Sequence, residues 1–239
     1  RNPEWVAEQL HISKGTYYSA QKNALDRLAG VIDKWEEQLY HPVPPAQPSI
    51  VSASHSHIPY LSPPRPAYHL VGRAGLLGDL QQRLLVDSEP PILALQGLPG
   101  TGKTALAISL AHDRQIMEHY ADGILWVSLG RQPDILAWQI QWATSLGLSE
   151  SAMTRRTTQA ERAQILHAAI GVRRMLLVID DAWRTEDALA FQIGGPHCAY
   201  LLTTRILSVA LDFSTGEITP VPELDFAAGL ALLEQFVPS

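Results

Sequence analysis

Eight consecutive residues have the types and spacing of a loop that binds phosphate. In order they are Gly97, Leu98, Pro99, Gly100, Thr101, Gly102, Lys103 and Thr104. They fit the pattern G-x-x-x-x-G-K-S/T, in which glycines let backbone N–H groups approach phosphate oxygens. Lys103 would reach the β- and γ-phosphates, and the Thr104 hydroxyl would hold Mg²⁺. We therefore expect this loop, together with Ala105 after it, to bind a nucleoside triphosphate.

The flanks of the loop favour this interpretation over a plain glycine turn. The apolar run Ile92–Leu95 precedes the loop, and the helical pattern Ala105–Ala111 follows it. A strand, a glycine loop and a helix in this order place the phosphate at the positive N-terminus of the helix.

An acidic strand end supplies candidates for the metal and for the attacking water. Four apolar residues from Leu176 to Ile179 lead into Asp180 and Asp181. Ligands of open parallel sheets bind at the carboxyl ends of the strands. We expect Asp180 to hold Mg²⁺ directly or through water, and Asp181 to orient or deprotonate a water molecule. The alternative is a buried strand that ends in a solvated acidic turn.

A second apolar strand ends in a cation. Leu201 and Leu202 are followed by Thr203, Thr204 and Arg205. An arginine at this edge would stabilise charge on the γ-phosphate. We therefore regard Arg205 as a candidate catalytic residue, together with Asp181 and Lys103. A simple ion pair at the strand end is the alternative.

Composition limits the class of protein. Among 239 residues, 24 acidic and 18 basic side chains give a net charge of −6, which argues against a general binder of polyanions. A single cysteine, Cys198, excludes an internal disulfide and favours a reducing compartment. Neither a membrane-spanning stretch nor a leader is evident, so we expect a cytoplasmic protein with no membrane partner. Because the first residue is Arg1, we expect the chain to be a piece of a longer protein.

The chain divides by pattern into four segments. We expect a helical segment at 1–40, a linker at 41–66 that carries eight of the 17 prolines, a nucleotide-binding domain at 67–222, and the start of a further helical module at 223–239.

Within the third and fourth segments, apolar runs alternate with helical patterns. Runs at 92–95, 124–127, 175–179, 200–202 and 217–221 predict strands, and patterns at 76–85, 105–120, 135–148, 158–170 and 226–236 predict helices. Continuous apolar strands that alternate with helices indicate a parallel α/β sheet buried on both faces.

Taken together, the motifs resemble a known family. Val71-Gly72-Arg73, the Gly97–Thr104 loop, the segment 177–183 and the segment 202–205 are similar to the NB-ARC branch of the STAND-class P-loop NTPases, over about residues 68–237. The resemblance implies an AAA+-like five-stranded parallel sheet of order 5-1-4-3-2, flanked by helices. It further implies that backbone around Val71 and Gly72 contacts adenine, that Arg73 of the same motif helps to bind the nucleotide, and that Arg205 senses the γ-phosphate.

The resemblance also implies a function. We expect a switch that binds ATP or ADP with Mg²⁺, hydrolyses ATP slowly, and associates with itself when activated. Two alternatives stay open. One is a DNA-binding transcriptional regulator whose NTPase module controls assembly; the other is a small-molecule kinase, which would require an acceptor pocket.

The N-terminal segment bears on the first alternative. Residues 6–18 have the pattern of a helix-turn-helix, with polar side chains that would face a major groove at Ser13, Lys14, Thr16, Tyr18 and Lys22. Acidic residues nearly balance the basic ones over residues 1–40 and weaken the case for DNA contact. A helical pair that packs on protein is the other interpretation.

Overall fold

The structure is a computed structural model that describes residues 70–86, 90–155, 158–214 and 218–234, together with residues 13, 63 and 64. The chain divides into two units, Arg1–His55 and Ser56–Ser239, and everything described below belongs to the second. The predicted helix-turn-helix lies outside the described residues except for Ser13, and the proline-rich linker lies outside them except for residues 63 and 64.

Strands and helices alternate along the described part of the chain. The strands are β1 (Ile92–Gln96), β2 (Ile124–Gly130), β3 (Leu176–Ala182), β4 (Ala199–Thr204) and β5 (Ile218–Pro220). The helices are α1 (Ala74–Leu84), α2 (Lys103–Ala111), α3 (Arg114–His119), α4 (Ile135–Ser145), α5 (Glu150–Thr154), α6 (Gln159–Ile170), α7 (Thr185–Leu189), α8 (Leu207–Ser214) and α9 (Phe226–Glu234).

The five strands form one parallel sheet in the order β2-β3-β4-β1-β5. This is the predicted order 5-1-4-3-2 read from the other edge, so the predicted fold is confirmed. Strand β4 lies between β1 and β3, where Leu93 pairs with Leu201 and Leu177 pairs with Tyr200. The carboxyl ends of β1, β3 and β4 therefore meet along one edge.

Side chains that alternate along each strand enter two separate cores, because successive residues of a strand point to opposite faces. Leu177 and Ile179 pack on one face with Trp142 and Phe191 of the helical layer. On the opposite face, neighbouring strand residues pack with Leu80 and Leu106 of α1 and α2, among others. Burial on both faces explains why the strands were visible as continuous apolar runs.

The predicted single helix over residues 105–120 is wrong, because the structure contains two helices there. Asp113 interrupts the pattern: its carboxylate accepts hydrogen bonds from the backbone N–H groups of Gln115 and Ile116, at 2.9 and 3.1 Å, and caps the N-terminus of α3. Aspartate at this position competes with helix continuation and starts a new helix. The predicted helix over residues 158–170 has the expected start, since Thr158 and Glu161 form a capping box at α6.

The remaining differences concern short elements. Helices α5, α7 and α8 were not predicted, and α5 and α7 have only five residues each, too few to show a helical period. No helix among the described residues is long and apolar enough to cross a membrane.

Candidate functional site

The glycine loop leaves the carboxyl end of β1 and leads directly into α2. Gly100 and Gly102 have φ angles of +77° and +91°, which side chains with a Cβ rarely adopt. Gly102 is the residue before α2, so Lys103 and Thr104 are the first two residues of that helix. Their position at the helix N-terminus is where exposed N–H groups and the helix dipole favour an anion.

The ammonium group of Lys103 lies back on the loop. Its Nζ donates to the carbonyl oxygens of Gly97, at 2.9 Å, and Leu98, at 2.7 Å. Burial lowers the pKa of Lys103, Arg205 lowers it further, and the carboxylates of Asp181 and Asp180 oppose both effects. The two hydrogen bonds fix the ammonium group against the loop, where phosphate oxygens could replace the two carbonyls as its partners.

Thr104 and Asp180 contact each other at the carboxyl edge of the sheet. The Thr104 hydroxyl donates to Oδ1 of Asp180 at 2.8 Å, and the Thr203 hydroxyl donates to the same oxygen at 2.7 Å. The other oxygen, Oδ2, accepts from the Ser128 hydroxyl at 3.5 Å. Only 5% of Asp180 is exposed. Burial raises the pKa of Asp180, the three hydroxyl donors oppose that rise, and the neighbouring Asp181 adds to it.

These groups fit a magnesium ion. A hydroxyl and a carboxylate oxygen in contact are hard donors of the kind that Mg²⁺ prefers. Within the described ranges, no cluster of three or more His, Cys, Asp or Glu side chains could hold a metal ion. Mg²⁺ commonly takes one or two protein oxygens and completes its shell with phosphate and water, so Thr104 and Asp180 suit a metal that arrives with a nucleotide.

Asp181 and Arg205 form an ion pair beside the acidic strand end. Arg205 Nε lies 3.5 Å from Oδ1 of Asp181, and 38% and 33% of the two side chains are exposed. The indole of Trp183 donates from Nε1 to Oδ2 of Asp181 at 3.1 Å. Since Asp181 has both oxygens near donors, the arrangement fits the simple ion pair as well as the predicted catalytic pair.

The Val71–Arg73 motif lies next to the loop. The buried guanidinium of Arg73 donates to the carbonyl oxygens of Thr101, at 2.9 Å, and of Pro222. Gly72 lies against α9, since a Cβ on it would come within 2.5 Å of the Cβ of Ala228. Arg73 therefore joins the loop to the segment after β5 through backbone carbonyls.

A cleft of about 190 Å³ opens between the loop and the segment after β5. Gly97, Leu98 and Thr101 line it on one side and Pro220 to Glu223 on the other. Val71, Gly72 and Arg73 are not among its lining residues. Their predicted contact with the nucleotide stays a prediction.

The structure therefore brings most of the predicted residues together. Thr104 contacts Asp180 and Asp181 contacts Arg205, whereas the hydrogen bonds of Lys103 are to the loop itself. The remaining loop residues have varied surroundings: Leu98, Pro99, Gly100 and Ala105 are exposed, whereas Thr101 is buried and donates from its hydroxyl to Leu98 O. The roles assigned to all of these residues stay predictions.

Sequence reasoning missed three partners. Thr203 and Ser128 contact Asp180, and Arg131 lies over the Trp183 indole with its Cζ 4.4 Å from the ring centroid. A hydroxyl inside an apolar strand, as at Thr203 and Ser128, is the signal that could have drawn attention to them. Arg131 directly follows β2, and its place beside Trp183 depends on β2 lying next to β3 in the sheet. No local pattern in the sequence indicates this contact.

Comparison with known proteins gives a family match over most of the chain. The family model described as "NB-ARC domain" matches residues 73–237. Apoptotic protease-activating factor 1 of Rattus norvegicus is 34% identical over 185 residues, which are 73% of this chain and 14% of that protein. Regulatory protein AfsR of Streptomyces griseus is 28% identical over 184 residues, which are 74% of this chain and 18% of that protein. The chain thus spans less than a fifth of the length of either relative.

One solved structure shows the same fold. The structure of the Aeropyrum pernix ORC1 protein in complex with DNA superposes with a TM-score of 0.53 at 18% identity, covering 70% of this chain and 49% of that one. At this identity the likeness concerns the fold alone.

Proposed function

This chain belongs to the NB-ARC domain family, and on that premise we propose that it is a switch that binds ATP or ADP with Mg²⁺ and hydrolyses ATP slowly. The family supports nucleotide binding by a switch; the identity of the base, the metal and the hydrolysis are our proposal. The 2.8 Å contact between Thr104 Oγ1 and Asp180 Oδ1 is the observation that carries it. It joins the phosphate loop and the acidic strand across β4, which lies between their two strands.

Each residue would contribute through its position. Lys103 and the loop N–H groups would bind the phosphates, and Thr104 and Asp180 would hold Mg²⁺. Bound there, Mg²⁺ would neutralise charge on the β- and γ-phosphates. Arg205 would contact the γ-phosphate, and Asp181 would accept a proton from water or orient it. Arg205 and Asp181 contact each other; exchanging this ion pair for contacts with the γ-phosphate and with water would cost free energy, which supports slow turnover.

Switching requires that the two nucleotides favour different states of the protein. A ligand shifts such an equilibrium only through its different affinity for the two states. The γ-phosphate is the only chemical difference between ATP and ADP, and Arg205 is the group we propose to detect it. We further propose that the ATP state associates with itself. Light scattering with size-exclusion chromatography tests this: a larger particle with the slowly hydrolysed analogue ATPγS than with ADP supports it, and equal particles contradict it.

Regulation of transcription through DNA contact is the second candidate. The name of one relative, Regulatory protein AfsR, is the observation that favours it. Retention of a DNA duplex by this chain at low salt would support the DNA contact predicted for residues 1–40, and no retention would remove it. Cytoplasmic location stays a prediction.

Two substitutions test the nucleotide site. Lys103→Ala should abolish binding of ATP and ADP, whereas Asp181→Ala should retain binding and slow hydrolysis. Arg114→Ala is the matched control, because it removes a cation that is 89% exposed and pairs only locally with Glu118 on α3. Calorimetric titration measures nucleotide binding, and the rate of phosphate release measures hydrolysis. Equal ATP affinity in the Lys103 variant and the parent would refute the phosphate-loop assignment.

A further inference from the structure

The indole of Trp183 is a shared contact for three charged side chains at the carboxyl edge of the sheet. Its Nε1 donates to Asp181 Oδ2 at 3.1 Å, and the Cζ atoms of Arg131 and Arg205 lie 4.4 and 5.0 Å from its ring centroid. Arg205 reaches Asp181 as well, with Nε 3.5 Å from Oδ1. Trp183, Asp181 and Arg205 thus form a closed triangle of contacts, which we call the Trp183 triangle.

The backbone directs Asp181 into this triangle. Asp181 has a φ of +50° and is the one residue other than glycine, within the described part of the chain, with a positive φ. The register of β3 against β4 shifts between Ile179 and Ala182, as at a β-bulge. A bulge re-aims the side chain at its centre. The Thr203 hydroxyl accepts the N–H of Asp181 at 2.9 Å and so stabilises this conformation.

We propose that Trp183 is a positioning residue that holds Asp181 and Arg205 against each other, and that it thereby weakens binding of the triphosphate relative to the diphosphate. The inference rests on the function proposed above and adds the regulation of that site. Arg205 cannot keep its place over the indole and beside Asp181 while it moves to a γ-phosphate. The triangle must therefore open for ATP but not for ADP, which has no γ-phosphate.

The size of the effect follows from the contacts that open. When only a fraction of molecules is competent to bind, the apparent affinity falls by that fraction. A cation over an aromatic ring at a partly exposed site changes an equilibrium by about two- to fivefold. We expect the N–H hydrogen bond to the partly exposed Asp181 carboxylate to add a factor of similar size.

Two substitutions of Trp183 separate these contributions. Trp183→Phe keeps a ring and removes the N–H donor, so the dissociation constant for Mg–ATPγS should fall about threefold. Trp183→Leu removes both the aromatic ring and the N–H donor, and the dissociation constant for Mg–ATPγS should fall about tenfold. Neither substitution should change the dissociation constant for Mg–ADP by more than about twofold. Trp138→Phe, at a half-buried position of α4, is the matched control and should change neither constant.

Tryptophan fluorescence gives an independent signal that a merely structural role would not produce. When Arg205 leaves the ring, the surroundings of the Trp183 indole change. Mg–ATPγS should therefore change the emission of the parent protein in a way that Mg–ADP does not, and this difference should be absent in Trp183→Phe but present in Trp138→Phe.

Each outcome bears on one of the two proposals. A selective gain for ATPγS with loss of the nucleotide-specific emission change supports the Trp183 triangle. Equal changes for both nucleotides, or no change, overturn it while leaving the proposed function intact. If the parent protein binds neither nucleotide, the proposed function fails instead.

Discussion

Replacement of Thr203 by valine probes the centre of the site without changing its shape. In the parent protein the Thr203 hydroxyl donates to Asp180 Oδ1 at 2.7 Å and accepts the N–H of Asp181 at 2.9 Å, and only 1% of the residue is exposed. Valine fills a similar volume but offers neither contact. The substitution therefore removes a donor from a buried carboxylate and leaves a backbone N–H without its acceptor.

The magnitude can be worked from these two contacts. A hydrogen bond to a charged group contributes about 1.5–3 kcal/mol, so we expect the free energy of unfolding of Thr203→Val to fall by about 2 kcal/mol. The pKa of Asp180, already raised by burial, should rise further because the ionised form loses a donor. More Asp180 is then protonated at a given pH, so the affinity for Mg–ATPγS should fall.

The loss of affinity of Thr203→Val for Mg–ATPγS should depend on pH. Because raising the pH restores the carboxylate, the deficit of Thr203→Val should shrink as the pH rises through the pKa of Asp180. Calorimetric titrations with Mg–ATPγS over a series of pH values, and with ATPγS and EDTA, measure it. The deficit should be absent with EDTA, since Asp180 is proposed to act through the metal.

Thr219→Val is a suitable control for Thr203→Val. Thr219 is also a buried strand threonine whose hydroxyl faces a charged group, since it accepts from Arg83 Nη1 at 2.7 Å, but it lies on β5. It should lose comparable stability and keep the parent's dependence on Mg²⁺ and pH. If Thr203→Val also keeps that dependence, the reasoning about Asp180 is refuted.

Three further substitutions test the account. Asp180→Asn should abolish Mg²⁺-dependent nucleotide binding. Because a raised pKa means that the parent loses stability as pH rises through the pKa of Asp180, the free energy of unfolding of the variant relative to the parent should increase over that range in urea denaturation. A difference that does not change with pH would contradict this. Gly97→Ala puts a Cβ 2.5 Å from the carbonyl oxygen of Val221. The substitution should lower the free energy of unfolding by about 1–3 kcal/mol and the nucleotide affinity, measured by titration, by at least about tenfold. Values like those of the parent would contradict this. Thr158→Ala removes the capping box with Glu161 and should cost about 1 kcal/mol in urea denaturation with unchanged nucleotide affinity.

The sequence was sufficient for features that depend on local pattern. Strands β1 to β4 are buried on both faces, so each contains a continuous apolar run, and the Gly97–Thr104 loop has a fixed spacing. The strand order followed from family resemblance and not from the residues. The break between α2 and α3 was predictable in principle, since Asp113 is a strong N-cap residue, but the apolar residues on either side continue the helical period across it.

Contacts between strands were beyond local reasoning. The contact of Thr203 with Asp180 depends on the register of β4 against β3, and the positive φ of Asp181 depends on the bulge in that register. Arg131 and Trp183 meet because β2 lies beside β3 in the sheet, although they are 52 positions apart along the chain. Pattern along the chain carries no information about which residues face each other across strands.

Strand β4 couples the two halves of the proposed site. It lies between the strand that ends in the phosphate loop and the strand that ends in Asp180, and its own end carries Thr203 and Arg205. Thr203 contacts the carboxylate proposed to hold the metal, and Arg205, two residues on, contacts Asp181. A movement of Arg205 toward a γ-phosphate would therefore pull on the same strand that fixes Asp180 and the backbone of Asp181. Because Arg205 directly follows Thr204, the last residue of β4, a displacement of Arg205 would be transmitted along the backbone to Thr203, two residues away.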